Sequence, residues 1–228
     1  MIRNLVVLSG AGISAESGIS TFRDSGGLWE GHDIMEVASP AGWQKNKLLV
    51  LDFYNKRRAQ LKEVMPNKAH FALAELEQHF NVQIITQNVD DLHERAGSSN
   101  VLHLHGELKK ARSTGDSSLI YNWEKDINMG DLCEKGFQLR PHIVWFGEAV
   151  PMLDKAIGIS READIFLVIG TSMVVYPAAS LVEYLPKGTP LYVIDPNKPD
   201  MIKIKNCTFI QKTATAGMEE LVKILEVE

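Results

Sequence analysis

Amides, carboxylates and imidazoles are concentrated between Thr86 and Gly106, in the sequence TQNVDDLHERAGSSNVLHLHG. Gln87, Asn88 and Asp90 follow the apolar run Val82 to Ile85, which predicts a buried strand. In open α/β sheets, ligands bind at the carboxyl ends of the strands. The three polar side chains are therefore candidates for a ligand site.

A second short apolar run, Val101 to Leu104, predicts a strand that ends at His105. Side chains alternate along a strand, so His103 and His105 share a face, and one of these imidazoles is expected to face the same cleft. An alternative is a metal site made of His93, His103 and His105, because histidine is the commonest metal ligand. His70, on a predicted helix, is expected to be a packing or surface residue.

A glycine turn, Ser9-Gly10-Ala11-Gly12, follows the apolar run Leu5 to Leu8 and precedes a predicted helix. Together with Ala15, its glycines fit the dinucleotide fingerprint, in which the pyrophosphate approaches the backbone at a helix amino terminus. An ordinary strand-to-helix turn is the alternative interpretation. The Gly-rich stretch Thr21 to Gly31 then stands where a dehydrogenase would have its second strand, and Asp33 does not end a convincing strand. This departure argues against an oxidoreductase.

Two further apolar runs end in polar turns, namely Ile165 to Ile169 before Gly170-Thr171-Ser172 and Leu191 to Ile194 before Asp195-Pro196-Asn197. Helices are predicted over Leu48 to Leu61, Pro66 to Phe80, Met152 to Glu162 and Glu219 to Val227. This alternation predicts an α/β fold with a doubly wound, mostly parallel, Rossmann-like sheet and a smaller helical and loop-rich lobe. We expect one domain over 1–228, with a large lobe of about 1–20, 67–108 and 141–228 and a small lobe of about 21–66 and 109–140.

Composition argues against several classes of protein. The 228 residues carry a net charge of -5, so no broad basic field is available for nucleic acid or an anionic membrane. The sequence shows no signal-peptide profile and no apolar run long enough to span a bilayer. Cys133 and Cys207 are too few for a disulfide framework or a four-thiolate zinc site, and Cys207 is expected in a strand core. We expect a cytoplasmic monomer without a nucleic-acid or membrane partner.

Six motifs in order resemble those of the sirtuin family, most closely its bacterial cobalamin-locus type. They are GAGIS at 10–14, TFRD at 21–24, TQNVDDLHERAG at 86–97, HLHGEL at 103–108, PHIVWFGE at 141–148 and GTSMVVYPA at 170–178. The resemblance covers the chain from Leu5 to about Val222. It implies a NAD-dependent protein-lysine deacylase that produces nicotinamide, O-acyl-ADP-ribose and free lysine.

The resemblance also implies roles for individual positions. His105 would be the general base on a ribose hydroxyl, and Asn88 and Asp90 the other catalytic residues. Asp90 would hold the nicotinamide carboxamide, while Gln87 and Asn88 position the ribose. The other NAD-binding positions are Gly10, Ala11, Gly12, Phe22, Arg23, Gly170, Thr171, Ser172 and Asp195. The acyl-lysine peptide is expected between two edges formed by Val144, Phe146, Gly147, Glu148, Val174 and Val175. Asp195 departs from the family, which commonly has asparagine there.

Tyr54 and Arg57 lie three residues apart on a predicted helix, so the phenol and the guanidinium project from the same side. In isolation, the pair is typical of a helix surface. In the context of the family, it matches the Tyr-x-x-Arg pair of sirtuins that accept acidic acyl groups through the arginine and a tyrosine hydrogen bond. We therefore expect desuccinylase or demalonylase activity beside deacetylation.

The stretch from Ala111 to Arg140 departs from the family, because sirtuins usually carry four zinc-binding cysteines there and this chain has Cys133 alone. We expect a loop-rich, metal-free segment in which residues 119–123 are the one strand-like piece and Cys133 is a free thiol. Its packing is expected around Ile120, Trp123 and Leu132.

Two alternatives from other classes remain. A NAD(P)-dependent oxidoreductase would need a second strand that ends in an acid after the glycine turn. A module that binds ADP-ribose without turning it over would need no general base, so it would not depend on His105.

Overall fold

A computed structural model describes residues 2–20, 28–29, 31–173, 175–197 and 206–225, with residues 28 and 29 described by their backbone alone. Its strands are β1 (Asn4–Ser9), β2 (Leu28–Trp29), β3 (His32–Asp33), β4 (Asn81–Thr86), β5 (Val101–His103), β6 (Gly106–Ser113), β7 (Ile120–Asn122), β8 (Leu139–Ile143), β9 (Ile165–Ile169), β10 (Leu191–Ile194) and β11 (Cys207–Ile210). Its α-helices are α1 (Gly12–Ala15), α2 (Ile34–Val37), α3 (Pro40–Lys45), α4 (Lys47–Glu63), α5 (Lys68–Glu75), α6 (Leu92–Arg95), α7 (Leu153–Ser160) and α8 (Ala214–Ile224). Short 3₁₀ helices cover Leu76–Gln78 and Ala178–Tyr184.

The main sheet has six parallel strands in the order β11-β10-β9-β1-β4-β5. From the central strand β1 the chain runs outward through β4 and β5, and later fills the other side with β9, β10 and β11. The order therefore reverses at β1, which makes the crevice at the carboxyl ends of β1, β4 and β9 the expected ligand site. The predicted doubly wound α/β fold is confirmed.

Both faces of the main sheet are covered, which explains why its central strands are apolar throughout. Leu5 and Val7 of β1 face one core, which also contains residues of α5 and α8. Val6 and Leu8 face a second core, which contains residues of α7 and of the 3₁₀ helix Ala178–Tyr184. Successive residues of β1 thus stabilise opposite layers of the molecule.

Helix α8 begins at Ala214, earlier than the predicted start at Glu219. The extra turn packs on the sheet, because a Cβ at Gly217 would lie 2.2 Å from Cγ2 of Ile194. Tertiary packing thus extends the helix through residues whose own pattern does not predict one.

The stretch predicted to be loop-rich contributes to a second sheet. Strands β6, β7 and β8 pair antiparallel in the order β7-β6-β8, so β7 was predicted and its two longer neighbours were missed. The predicted lobe boundary at residues 108 and 109 falls inside β6, and the division into lobes stays a prediction.

The predicted packing of this second sheet was wrong in part. Ile120 and Leu132 are 44% and 55% exposed. Ile127, Cys133 and Leu139 are buried instead, in a third core that also contains residues of α4. Trp123 packs against that core from its edge, as expected.

Candidate active site

One large cleft of about 890 Å³ opens at the carboxyl ends of β1, β4 and β9. A cavity of this size lies within the range of small-molecule and cofactor sites. The predicted site residues that line it are Gly10, Ala11, Gly12, Tyr54, Gln87, Asn88, Asp90, His105, Val144, Phe146, Gly147, Glu148, Gly170, Thr171, Ser172, Val175 and Asp195. The fold thus brings together residues from six separate parts of the sequence.

Four predicted site residues stand apart from this set. Phe22, Arg23 and Val174 lie outside the described residues. Arg57 lines a smaller cavity of about 40 Å³. Asp90 lines both cavities, so Arg57 lies directly behind the cleft.

The glycine turn packs tightly against the end of β9. A Cβ at Gly12 would lie 2.7 Å from the Cα of Gly170, and the Gly12 N–H already donates to the Gly170 carbonyl over 2.8 Å. The glycines therefore have a packing role, and the two turns together close one end of the cleft. Gly10, Ala11 and Gly12 also line the cleft, and their contact with a pyrophosphate stays a prediction.

Ser14 links the two polar side chains at the centre of the cleft. Its hydroxyl donates to Oδ2 of Asp90 over 3.0 Å and accepts from Nδ2 of Asn88 over 3.1 Å. A carboxylate can only accept, which fixes the direction of the first bond and therefore of the second. The amide oxygen of Asn88 is consequently on the side away from Ser14.

Asp90 is a buried carboxylate with two donors. Burial raises its pKa to about 6, and the Leu92 N–H and the Ser14 hydroxyl oppose this rise in part. At neutral pH the carboxyl group is therefore mostly ionised, at the cost of its desolvation.

His105 lines the cleft and is held in one tautomer. Its Nδ1 lies 3.0 Å from the backbone carbonyl oxygen of Gln87, which can only accept a hydrogen bond. The proton is therefore on Nδ1, and Nε2 carries the lone pair. Burial lowers the pKa of His105, which keeps the imidazole neutral. These are the properties of a general base.

His103, two residues earlier, is not among the residues that line the cleft. Its Nδ1 lies 3.0 Å from the Asn88 carbonyl oxygen and its Nε2 lies 2.7 Å from Oε1 of Glu94. Strand alternation alone left the two histidines indistinguishable, and the structure distinguishes them.

The alternative metal site is wrong. His93 is buried and its Nε2 bonds to the Ser9 hydroxyl over 2.9 Å, while His103 bonds to Glu94. Within the described parts of the chain, no three His, Cys, Asp or Glu side chains could together hold a metal ion. His70 packs edge-on against His93, with ring centroids 5.0 Å apart, as expected for a packing histidine. Burial lowers the pKa of His70 to about 4.

Two further polar residues of the cleft, Gln87 and Asp195, are held by hydrogen bonds at the ends of their strands. Nε2 of Gln87 donates to Oγ1 of Thr171 over 3.1 Å, which joins the ends of β4 and β9. The carboxylate of Asp195 is buried and accepts from the Asn197 N–H over 2.8 Å. Asp195 therefore offers a carboxylate to the cleft at the end of β10.

Glu148 is held by two arginines of the smaller sheet. Its carboxylate accepts from Arg112 over 2.9 Å and from Arg140 over 2.7 Å, and also from the Trp145 N–H over 2.8 Å. The pKa of Glu148 is lowered overall, because these donors outweigh the opposite effect of burial. The side chain thus fixes the loop at 145–148 that borders the cleft.

Tyr54 is fully buried on helix α4, and its hydroxyl accepts a hydrogen bond from Nε1 of Trp145 over 3.0 Å. Burial raises the pKa of Tyr54 above its usual value, so the phenol stays protonated. The guanidinium of Arg57, one turn later, lies 5.3 Å from the ring centroid of Phe53.

Sequence reasoning missed Ser14, Trp145 and Arg140. Ser14 was inside a recognised motif, and its hydroxyl next to a glycine turn was the available signal. The part that Trp145 and Arg140 play depends on contacts between distant segments, since Trp145 meets Tyr54 and lies 3.1 Å beneath the guanidinium of Arg140.

Comparison with known proteins gives consistent matches over almost the whole chain. The model of the Sir2 family matches residues 10–177. A NAD-dependent protein deacylase of Helicobacter pylori is 61% identical over 227 residues, which cover 99% of this chain and 99% of that protein. A NAD-dependent protein deacylase of Bacteroides thetaiotaomicron is 53% identical over 233 residues, with 98% of each chain covered.

Solved structures show the same fold. A Sir2 homologue in complex with NAD matches with a TM-score of 0.88 and 42% identity, over 98% of this chain and 90% of that one. A Sir2 protein bound to an acetylated peptide matches with a TM-score of 0.83 and 29% identity, over 99% of this chain and 94% of that one.

Proposed function

The chain belongs to the Sir2 family, and we propose that it is a NAD-dependent protein-lysine deacylase that removes acidic acyl groups as well as acetyl groups. The observation that carries this proposal is the cleft that joins a neutral imidazole, His105, to the buried pair Asn88 and Asp90. The products are nicotinamide, free lysine and O-acyl-ADP-ribose.

The residues of the cleft fit NAD. The two turns around Gly12 and Gly170 close one end of the cleft with backbone rather than side chains, which suits a pyrophosphate. The buried carboxylate of Asp195 and the hydroxyl of Thr171 suit ribose hydroxyls. Asn88 and Asp90 suit the carboxamide end of the molecule.

Asn88 and Asp90 act on the nicotinamide end. The Asp90 carboxylate, held by Ser14, accepts from the carboxamide, and Asn88 with Gln87 orients the ribose. When bound, NAD supplies the ribose carbon that receives the acyl oxygen and the nicotinamide that leaves. Because hydrogen bonds hold these side chains in place before the reaction, little reorganisation is needed as charge develops.

His105 acts as general base. The lone pair on Nε2 takes the proton of a ribose hydroxyl, and the Gln87 carbonyl stabilises the imidazolium through Nδ1–H. Its lowered pKa keeps it available at neutral pH.

The acyl-lysine peptide lies between the loop at Phe146 and Gly147 and the segment at Val175. Phe146 is partly exposed at the rim of the cleft, and the carboxylate of Glu148 holds its loop in place. A peptide added as an extended segment would bring its lysine toward Tyr54. The net charge of -5 favours basic peptides.

Acceptance of succinyl and malonyl groups rests on Tyr54 and Arg57. Both are on α4, with Tyr54 in the cleft and Arg57 in the adjoining cavity behind Asp90. Nε and one terminal nitrogen of Arg57 are shielded from solvent. A guanidinium in so shielded a place interacts strongly with a carboxylate, so it favours an acyl chain with a terminal acid.

The decisive experiment is incubation of the protein with NAD and an acylated peptide. We expect nicotinamide, free lysine peptide and O-acyl-ADP-ribose in equal amounts by mass spectrometry. Reduction of NAD without nicotinamide would indicate an oxidoreductase, and binding of ADP-ribose without turnover would indicate a binding module.

Acyl preference is tested with Arg57→Met on succinyl-lysine and acetyl-lysine peptides. We expect kcat/KM for succinyl-lysine to fall at least tenfold more than for acetyl-lysine, since one charge-assisted pair is lost. Lys56→Met is the matched control, because Lys56 is exposed on the same helix and pairs with Asp52. Equal losses on both substrates would refute the acidic pocket.

We also propose that the protein works without zinc. The four-cysteine site of the family does not fit these residues, because Cys133 is the one cysteine between 111 and 140 and its Sγ bonds to the Ser113 hydroxyl. Stoichiometric zinc in the purified protein, measured by elemental analysis, would refute this. A cytoplasmic location, a monomeric state and the lack of a nucleic-acid partner stay predictions.

A further inference from the structure

His103 has two hydrogen-bond partners, and both are acceptors. One is the backbone carbonyl oxygen of Asn88, 3.0 Å from Nδ1, and the other is the carboxylate of Glu94, 2.7 Å from Nε2. A neutral imidazole has one N–H and can satisfy one of them, whereas an imidazolium satisfies both. The geometry therefore points to a protonated His103.

His105 differs in just this respect. It has one acceptor, the Gln87 carbonyl, and its other ring nitrogen faces the cleft. Two histidines that are two residues apart are thus held in opposite protonation states by their partners. Such separation is typical of sites that assign different tasks to similar groups.

The carbonyl that His103 holds belongs to a residue at the centre of the site. The backbone N–H of Asn88 donates to Thr86 Oγ1 over 3.1 Å, and its side-chain amide donates to Ser14. His103 holds the third group, the carbonyl oxygen. Since the side chain of His103 is 8% exposed, water competes little for this bond.

The charged and titratable groups around His103 favour its cation. Glu94 on α6 and Glu107 on β6 carry the opposite charge. Lys110 donates a hydrogen bond to Glu107, and its positive charge also helps to keep Glu94 ionised. Asp90 and the neutral His93 also interact with it electrostatically. Burial lowers the pKa of His103, but the hydrogen bond and charge of Glu94 outweigh burial and raise it above the usual value.

We propose that His103, as an imidazolium paired with Glu94, is a positioning residue that holds the Asn88 carbonyl and so aligns Asn88 for the release of nicotinamide. The effect on nicotinamide release rests on the proposed function, whereas the protonation of His103 does not. When His103 loses its proton at high pH, one of its two bonds is lost. The alkaline limb of the pH profile for nicotinamide exchange then reports His103.

The first test is nitrogen-15 NMR of the histidine rings in the full-length protein. The chain has seven histidines, so His103→Gln identifies the signal of His103 by its loss. We expect an imidazolium at neutral pH with a midpoint above about 6.5, lowered by about one pH unit in Glu94→Gln. A midpoint at or below about 6.5, or one that Glu94→Gln leaves in place, would overturn the proposal.

The second test is the pH profile of nicotinamide exchange. We expect its alkaline midpoint to move to lower pH by the same amount in Glu94→Gln as the NMR midpoint does. Glu75→Gln, an exposed carboxylate at the end of α5, is the matched control and should keep the parent profile. If the NMR midpoint moves and the exchange profile does not, His103 does not serve Asn88. If the parent protein shows no exchange at all, the proposed function fails while the NMR result still stands.

Discussion

Nε1 of Trp145 donates a hydrogen bond to the hydroxyl oxygen of Tyr54 over 3.0 Å, inside the core between helix α4 and the loop that borders the cleft. The indole is itself held by the guanidinium of Arg140, 3.1 Å from the ring centroid. Arg140 in turn bonds to Glu148. The phenol that we assign to the acyl pocket is thus oriented by a chain of contacts that begins in the smaller sheet.

Trp145→Phe keeps an aromatic ring and removes the donor to Tyr54. We expect the free energy of unfolding to fall by about 1 kcal/mol, plus the cost of the smaller ring. The ratio of kcat/KM for succinyl-lysine to that for acetyl-lysine should fall severalfold, because the phenol loses its fixed orientation. Denaturant unfolding and peptide assays measure the two effects. Trp43→Phe, in the same aromatic cluster, is the control, and an equal change of the ratio there would contradict this role.

His105→Ala separates two steps of the reaction. In the proposed mechanism the base acts after nicotinamide has left, so we expect deacylation to fall by about 100-fold or more while nicotinamide exchange is retained better. Radiolabelled nicotinamide exchange and product formation can be followed on the same protein. Equal loss of both activities would mean that the division of labour is wrong.

Asp90→Asn should stabilise the protein while it impairs activity. The folded pKa of Asp90 is about 6, above its usual 3.8, so the carboxyl group contributes stability below pH 4 that is lost as pH rises to 6. Removing the charge should therefore raise the free energy of unfolding at pH 7 by up to roughly 3 kcal/mol, with little change at pH 4. Urea unfolding of the variant and the parent at both pH values gives the difference. A difference that is the same at pH 4 and pH 7 would show that the carboxylate is not desolvated.

Asn55→Ala should weaken the attachment of the segment between β7 and β8 to helix α4. The amide of Asn55 bonds to both the N–H and the carbonyl of Ile127, over 2.9 and 3.1 Å, and accepts from Arg58 over 2.7 Å. Loss of these partly buried hydrogen bonds should cost about 2 kcal/mol of unfolding free energy. Asn122→Ala, which is exposed on β7, is the matched control. If this segment is held without metal, a zinc chelator should leave the midpoint of urea unfolding unchanged in both variants.

The apolar runs determined most of the main sheet. Ile165–Ile169 and Leu191–Ile194 are buried on both faces, so their composition marks them as strands without reference to partners. The polar turns at their ends were found for the same reason, since each one interrupts an unbroken apolar pattern. The cleft residues Asn88, Asp90 and His105 follow such runs and were therefore predictable.

The smaller sheet was not predictable in this way. Strands β6 and β8 contain charged residues, because one face meets solvent and because Arg112 and Arg140 are neutralised by Glu148. Their pairing brings together segments that are some thirty residues apart, so no local pattern reports it. The expected core residues Ile120 and Leu132 were chosen by side-chain type, whereas burial followed the contact with α4.

By itself the sequence determined the α/β class, the glycine turn, the order of the motifs and the candidates for the cleft. It did so because apolar periodicity and turn chemistry are local properties of the chain. The tertiary structure alone decided that Ser14 joins Asn88 to Asp90, and that Trp145 contacts Tyr54. It also decided that His103 and His105 have opposite partners. These are hydrogen bonds between segments far apart in sequence, and the protonation of an imidazole depends on whether the atoms it meets can donate or only accept.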